Sequence, residues 1–328
     1  MKERIEYIDK LKGLAIILVV MGHISEKSMN ITTSPFNLFY DSFHMPLFMF
    51  LSGIFAYKSF KKWNLYEAIY FLKKKTLRIL MPFVVIGGVY SVCFCGNLMD
   101  VYLGVNSSYW FLPALFYCML CGLIVYWIIN FTGKSNKIYL VLCMHLILWM
   151  LLVMVYQMNC LDNVPYSLHA IKMYPFFIMG TLFTKYSLFK DKIIYSNNLF
   201  TISILGYMLL LIYGDEIPLK FNYTGVFAIV ILVQLIVDYD SFIPKKMSFV
   251  GKYSLEIYVL HWFFLPALDS LNSCLSFSII GIPKNFIILF CVTLIIAIPI
   301  IFVCILLSNI IRKSKFLNAV CFGCSLLK

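Results

Sequence analysis

Charge is the scarcest property of this chain. Only 13% of its 328 residues are Asp, Glu, Lys or Arg, and just 15 of these are acidic. With 62% hydrophobic residues and a mean hydropathy of +0.89, no water-facing surface can be assembled, which excludes a soluble globular domain. The net charge of +12 would suit nucleic acid, but the distribution of basic residues excludes that partner. If the apolar runs alternate across a bilayer from a cytoplasmic N-terminus, 23 of the 27 Lys and Arg fall on one side. That asymmetry is topological and predicts both termini in the cytoplasm.

Other absences narrow the reading further. No internal repeat of the kind found in inverted-topology transporters is visible. No small-residue cleavage site follows the first apolar run, so it reads as a retained helix. Most of the eleven cysteines lie inside apolar runs, where Cys behaves as a small hydrophobe, so no disulfide framework is expected. Cys321-Phe-Gly-Cys324 is a lone Cys-x-x-Cys without a second pair, and no metal site is expected there.

What is present is a series of ten apolar segments: 11–25, 36–57, 79–95, 109–131, 138–156, 172–186, 199–213, 221–237, 253–268 and 285–311. They predict an all-α polytopic membrane protein, one membrane domain over 1–328, with short linkers and no appended soluble domain. The first segment is short for a span of about 20 residues, so it can end in a cavity. The last has no ionisable group and reads as lipid-facing or structural.

Ionisable groups inside a bilayer mark candidate sites, because each must face protein or water. Lys12 and His23 are eleven residues apart, a net turn of about 20° and a rise of roughly 16 Å on an α-helix, so they share one face. Asp9 falls near the same stripe and can pair with Lys12 at the cytoplasmic mouth. A neutral imidazole at position 23 could take a proton from a hydroxyl. The bland alternative is a snorkelling lysine with a helix-bridging histidine.

His44 precedes Pro46 in the second segment, where proline frees a carbonyl near Ser42, and the two histidines could meet on the outer half. Ser52-Gly53 lies deeper, as small residues for close helix packing or a narrow passage. Lys74, Lys75 and Arg78 sit at the start of the third segment, as positive-inside charge or as a phosphate site with bidentate Arg contacts. Glu256 and His261 form a second intramembrane pair, and His145 reads as a packing histidine. Glu26 lies in an outer linker, and Trp110 at an outer boundary is either an interfacial belt residue or a sugar-stacking platform.

Together these residues resemble the acyltransferase-three family of membrane O-acyltransferases. Lys12, ten intervening residues and His23 match the family's opening motif in its lysine variant. Phe43-His44-Met45-Pro46-Leu47-Phe48 with Leu51-Ser52-Gly53 resembles the second-helix signature, especially of the sugar O-acetylase branch. Lys75 and Arg78 before Pro82, Trp110-Phe111-Leu112-Pro113, and Ser254-Leu255-Glu256-Ile257-Tyr258 with His261 resemble later landmarks.

The resemblance implies a multi-pass enzyme of the bacterial plasma membrane. It would transfer an acyl group, usually acetyl, from cytoplasmic acetyl-CoA to a hydroxyl of a cell-surface carbohydrate or glycolipid, with no bound cofactor. His23 would be the base or acyl-handling group, with His44, Glu26 and Trp110 toward the acceptor. Asp9, Lys12 and Ser52 would shape the donor passage, and Lys74, Lys75 and Arg78 would meet the phosphates of CoA. Lys12 cannot form the forked contacts of an arginine. A rival reading is a transporter using Lys12, His23, His44 and His261 as a relay.

Overall fold

The computed structural model describes residues 6–31, 35–59, 65–105, 108–131, 137–213, 220–268 and 282–323; Cys324 lies outside them. Among these residues all regular structure is helical. The helices are α1 Glu6–His23, α2 Pro35–Asp41, α3 His44–Ser59, α4 Leu65–Lys75, α5 Gly88–Tyr90, α6 Met99–Tyr102, α7 Phe111–Phe131 and α8 Ile138–Gln157. They continue with α9 Ser167–Lys185, α10 Ser187–Tyr195, α11 Asn197–Tyr213, α12 Lys220–Asp238, α13 Lys245–Lys252, α14 Ser254–Leu260, α15 Ile282–Lys313 and α16 Lys315–Phe322.

Among the described residues, five helical stretches are long and apolar enough to cross a bilayer: Ile69–Cys95, Phe111–Asn130, Ile138–Gln157, Lys220–Asp238 and Phe286–Lys313. The pair Ser187–Tyr195 and Asn197–Ile212, bent by 66°, makes a sixth if it is one span. Gln234 explains how that bend survives in an apolar setting. Its amide donates to the carbonyls of Ile193 (2.6 Å) and Ser196 (3.2 Å), which flank the bend, so a buried polar side chain ties both sides of it together.

Several expected boundaries move. The first segment begins at Glu6 rather than 11, because α1 includes a polar first turn with Glu6 and Asp9 at its positive end. It continues past His23 as a π-turn, Ile24–Ser28. The segment expected over 36–57 is two helices interrupted at 42–43. Pro46 thereby falls in the first turn of α3, where no backbone donor is required. The segment over 253–268 is also broken: α14 gives way to a 3₁₀ turn, His261–Phe264, and helix ends before Pro266. Three π-turns, Thr76–Leu80, Phe83–Gly87 and Ser91–Cys95, surround Pro82, whose missing N–H breaks the regular ladder.

The chain forms two compact units. The first comprises residues 1–48 and 193–310, the second 49–192 and 311–328. In the first, α1 lies against α13, with α12, α14 and α2 also touching it. A Cβ on Gly13 would overlap the Met247 carbonyl, and one on Gly251 would overlap the Asp9 carbonyl. Both glycines therefore let two backbones meet directly, the contact that helix packing in lipid exploits. Beside this crossing, the buried Lys10 ammonium donates to the Asp240 carboxylate (2.7 Å) and carbonyl (2.6 Å).

In the second unit, α7, α8 and α9 pack together, and α3 crosses α9 with Gly53 on the Phe177 carbonyl and Gly180 on the Phe50 carbonyl. His145 bridges α8 to α9 through Tyr174 Oη at 2.8 Å. The outer face of α8 exposes Ile147, Met150, Leu151 and Met154, as a lipid-facing helix requires. Along the part of α15 that belongs to the first unit, exposed Ile295, Ile298, Phe302 and Leu306 alternate with buried Ala297, Ile300 and Cys304, so this helix has one packed and one lipid-suited face.

Candidate functional site

His23 is the last residue of α1, where the α ladder widens into the π-turn. Such turns inside helices are frequent at functional sites. Ser25 on the turn donates to Asn37 Oδ1 (2.9 Å), and Asn37 donates to the Ile31 carbonyl (2.8 Å), tying the turn to α2. Leu268 N–H donates to the Ser28 carbonyl (2.8 Å), so the stretch after the 3₁₀ turn returns to the same place. His23 is therefore held between three chain segments.

Its aromatic neighbours come from the 3₁₀ turn. The His261 ring lies 5.3 Å from the His23 ring, the two planes within 13° of parallel. The Trp262 ring is 4.3 Å from His23 and tilted by 39°. His23 is partly exposed, yet its Nδ1 is buried without a hydrogen-bond partner among the described residues. His261 is fully buried, and its Nδ1 stands 2.9 Å from the Ile257 carbonyl. A carbonyl only accepts, so this nitrogen carries the proton and Nε2 bears a lone pair.

Tyr40 links the other expected residues to the cluster. Its ring covers Gly22, where a Cβ would overlap it. Its hydroxyl donates to Glu26 Oε1 (2.8 Å), and its carbonyl accepts from His44 Nδ1 (2.7 Å). His44 is buried, 3.9 Å from Asp41 Oδ1, and within electrostatic reach of His23. Ser42, between α2 and α3, bonds to the Phe39 carbonyl and to Tyr207 Oη, each at 2.7 Å. At the other end of α1, Lys12 Nζ is 3.9 Å from Asp9 Oδ1. Lys12 and His23 stand on one uninterrupted helix, as their spacing requires.

The remaining expected residues belong to the second unit. Ser52 is partly exposed beside the Gly53 crossing. Lys74 and Arg78 are exposed, while Lys75 extends over the Phe71 ring at 5.5 Å. Arg78 stands in the π-turn Thr76–Leu80, and Gly323, in a left-handed conformation after α16, rests on the backbone of Leu77 and Arg78. The glycine of the Cys-x-x-Cys motif thus has a packing role. Trp110 meets His169 with ring centroids 4.6 Å apart.

Sequence reasoning marked His261 as an intramembrane group, a family landmark and a member of the rival relay, but gave neither it nor Trp262 a place beside His23. Their contact with His23 joins positions more than two hundred residues apart, which no local pattern reveals. The one available signal was an ionisable group inside an apolar run.

Compared with known proteins, the chain matches neither a curated protein nor a solved structure. A family model described as an acyltransferase domain matches residues 5–308, which takes in His23, His44, Arg78, Trp110 and His261. With nearly its whole length inside that match, the chain belongs to the acyltransferase-three family.

Proposed function

We propose that this membrane acyltransferase moves an acetyl group from cytoplasmic acetyl-CoA to a hydroxyl of a cell-surface or lipid-linked carbohydrate, as in the sugar O-acetylase branch. The observation that carries the reading is the His23 cluster: a partly open imidazole at a helix break, enclosed by His261 and Trp262, in a chain of this family. The proposal includes ten membrane crossings in a bacterial plasma membrane with both termini cytoplasmic, supported by the one-sided distribution of Lys and Arg.

In the proposed reaction, His23 Nε2 takes the proton of the acceptor hydroxyl as its oxygen attacks the thioester carbonyl carbon. The tetrahedral intermediate collapses with cleavage of the C–S bond, and the proton passes from His23 to the departing CoA sulfur. Transfer is direct, without an acyl-histidine. Lys74, Lys75 and Arg78 attract the CoA phosphates, Arg78 with forked contacts. Asp9, Lys12 and Ser52 shape the donor passage, and His44, Glu26 and Trp110 serve the acceptor side. His44 can offer only Nε2, since Nδ1–H is committed to the Tyr40 carbonyl.

The test uses the full chain in lipid nanodiscs with labelled acetyl-CoA and a panel of glycans. Transfer by the wild type that is lost in His23→Ala supports the reading. Label found covalently on His23 with donor alone would replace direct transfer by an acyl-enzyme. Solute flux in vesicles without any transfer would favour a transporter instead.

A further inference from the structure

Two of the buried polar atoms without a hydrogen-bond partner among the described residues belong to facing rings: His23 Nδ1 and His261 Nε2. Leaving either atom unpaired costs on the order of 1–3 kcal/mol, so each calls for a partner that protein atoms do not supply. The rings are nearly parallel, with centroids 5.3 Å apart. One water bonded to both nitrogens, at ordinary hydrogen-bond lengths and a near-tetrahedral angle, holds them about 4.5 Å apart, a separation that two rings at this centroid distance can present.

The donor and acceptor roles are already constrained. Ile257 holds the His261 proton on Nδ1, so Nε2 can only accept in the neutral ring. If His23 Nε2 is the atom that works as base, its neutral ring carries the proton on Nδ1 and can only donate there. A water oxygen accepts from the first and donates to the second. The other charged or titratable groups bearing on His23 are His44 of α3 and Lys27 of the π-turn. Neither faces it ring to ring among the described contacts.

We infer that His261 is a positioning residue for His23, acting through one bridging water between His23 Nδ1 and His261 Nε2. This rests on the reading of His23 as the base. The bridge fixes the tautomer that leaves Nε2 free. When Nε2 gains the hydroxyl proton, the Nδ1 proton moves to the water, and a water proton moves to His261 Nε2. His23 then holds one proton, on Nε2, and His261 holds two; the reverse shift returns the proton for delivery to the sulfur. A third group that orients a base is a recurring device, and here a second imidazole supplies it.

The experiment pairs a turnover assay with a measurement that needs no turnover. Full-length protein labelled with ¹⁵N-histidine in nanodiscs is compared as wild type, His261→Ala and His261→Gln, with His23→Gln to assign the resonance. The expected wild-type signature is His23 protonated at Nδ1; alanine converts it to a tautomer mixture, and glutamine, with an acceptor but no second proton site, preserves it. In turnover, both variants lose about 10²-fold in kcat, with the KM for acetyl-CoA within roughly twofold, and free imidazole restores activity to His261→Ala alone. An unchanged His23 tautomer in His261→Ala overturns the inference, as does a loss of kcat that imidazole cannot relieve. If the wild type shows no transfer at all, the proposed function fails, and the tautomer comparison still decides the inference.

Discussion

His23 and His145 both belong to strongly apolar helices, and each keeps one buried nitrogen without a hydrogen-bond partner among the described residues. Their surroundings differ in kind. His145 is wholly buried in the second unit, bonded to Tyr174 and edge-on to the Tyr126 ring. Tyr174 also walls an apolar cavity of about 190 Å³ with Tyr117, Cys118, Leu152 and Ile171. His23 is partly exposed, ends a helix, and faces a second imidazole whose orphan nitrogen complements its own. An unsatisfied nitrogen is therefore no mark of function by itself. Access for a reactant and a second proton-carrying group separate the two sites.

The comparison can be broken most decisively at His23. His23→Ala is expected to lower acetyl transfer by about 10³-fold or more while leaving the protein folded, as general-base loss does. Transfer within tenfold of wild type would equate the two histidines. Next in size is Gly251→Val. Its side chain collides with the Asp9 carbonyl, so α1 must shift, and transfer should fall roughly 10- to 100-fold by misplacing His23. Gly206→Val, which meets only the edge of the Phe227 side chain, is the matched comparison and should cost less.

Arg78→Ala is expected to raise the KM for acetyl-CoA about tenfold with kcat little changed, an effect that shrinks as salt is added. A change in kcat without a change in KM would remove the basic stretch from donor binding. The smallest effect on turnover belongs to His145→Phe. It leaves the Tyr174 hydroxyl without its imidazole partner, which should destabilise the protein by about 1–3 kcal/mol, read as a lower unfolding midpoint in detergent. Transfer per folded molecule should stay within about twofold. A larger catalytic loss there would mean that the second unit's histidine also handles protons.

Helical character and the Lys12–His23 stripe were visible in the sequence because both depend on local periodicity. His145 as a packing residue was visible too, since a lone histidine amid Leu, Met and Trp has little other use. The breaks were not. Apolarity marks depth in a bilayer and continues across residues 42–43 and past Leu260, where the ladder changes pitch. The burial of Lys10 was hidden for a similar reason: near a basic terminus it reads as topological charge, whereas Asp240 captures it from 230 positions away. The His23–His261 pairing was hidden most deeply, because helix adjacency is set by tertiary packing.

The direct crossing of α1 and α13 has a mechanical consequence. Gly13 and Gly251 form a fulcrum, and the run of α1 beyond it to His23 is a rigid arm of roughly 15 Å. A tilt of about 4° at the fulcrum swings the imidazole through about 1 Å, the scale of misplacement that costs 10²-fold in rate. The basic helix Lys245–Lys252 supplies Met247 and Gly251 to that fulcrum, so a shift of this helix would tilt the arm that carries His23.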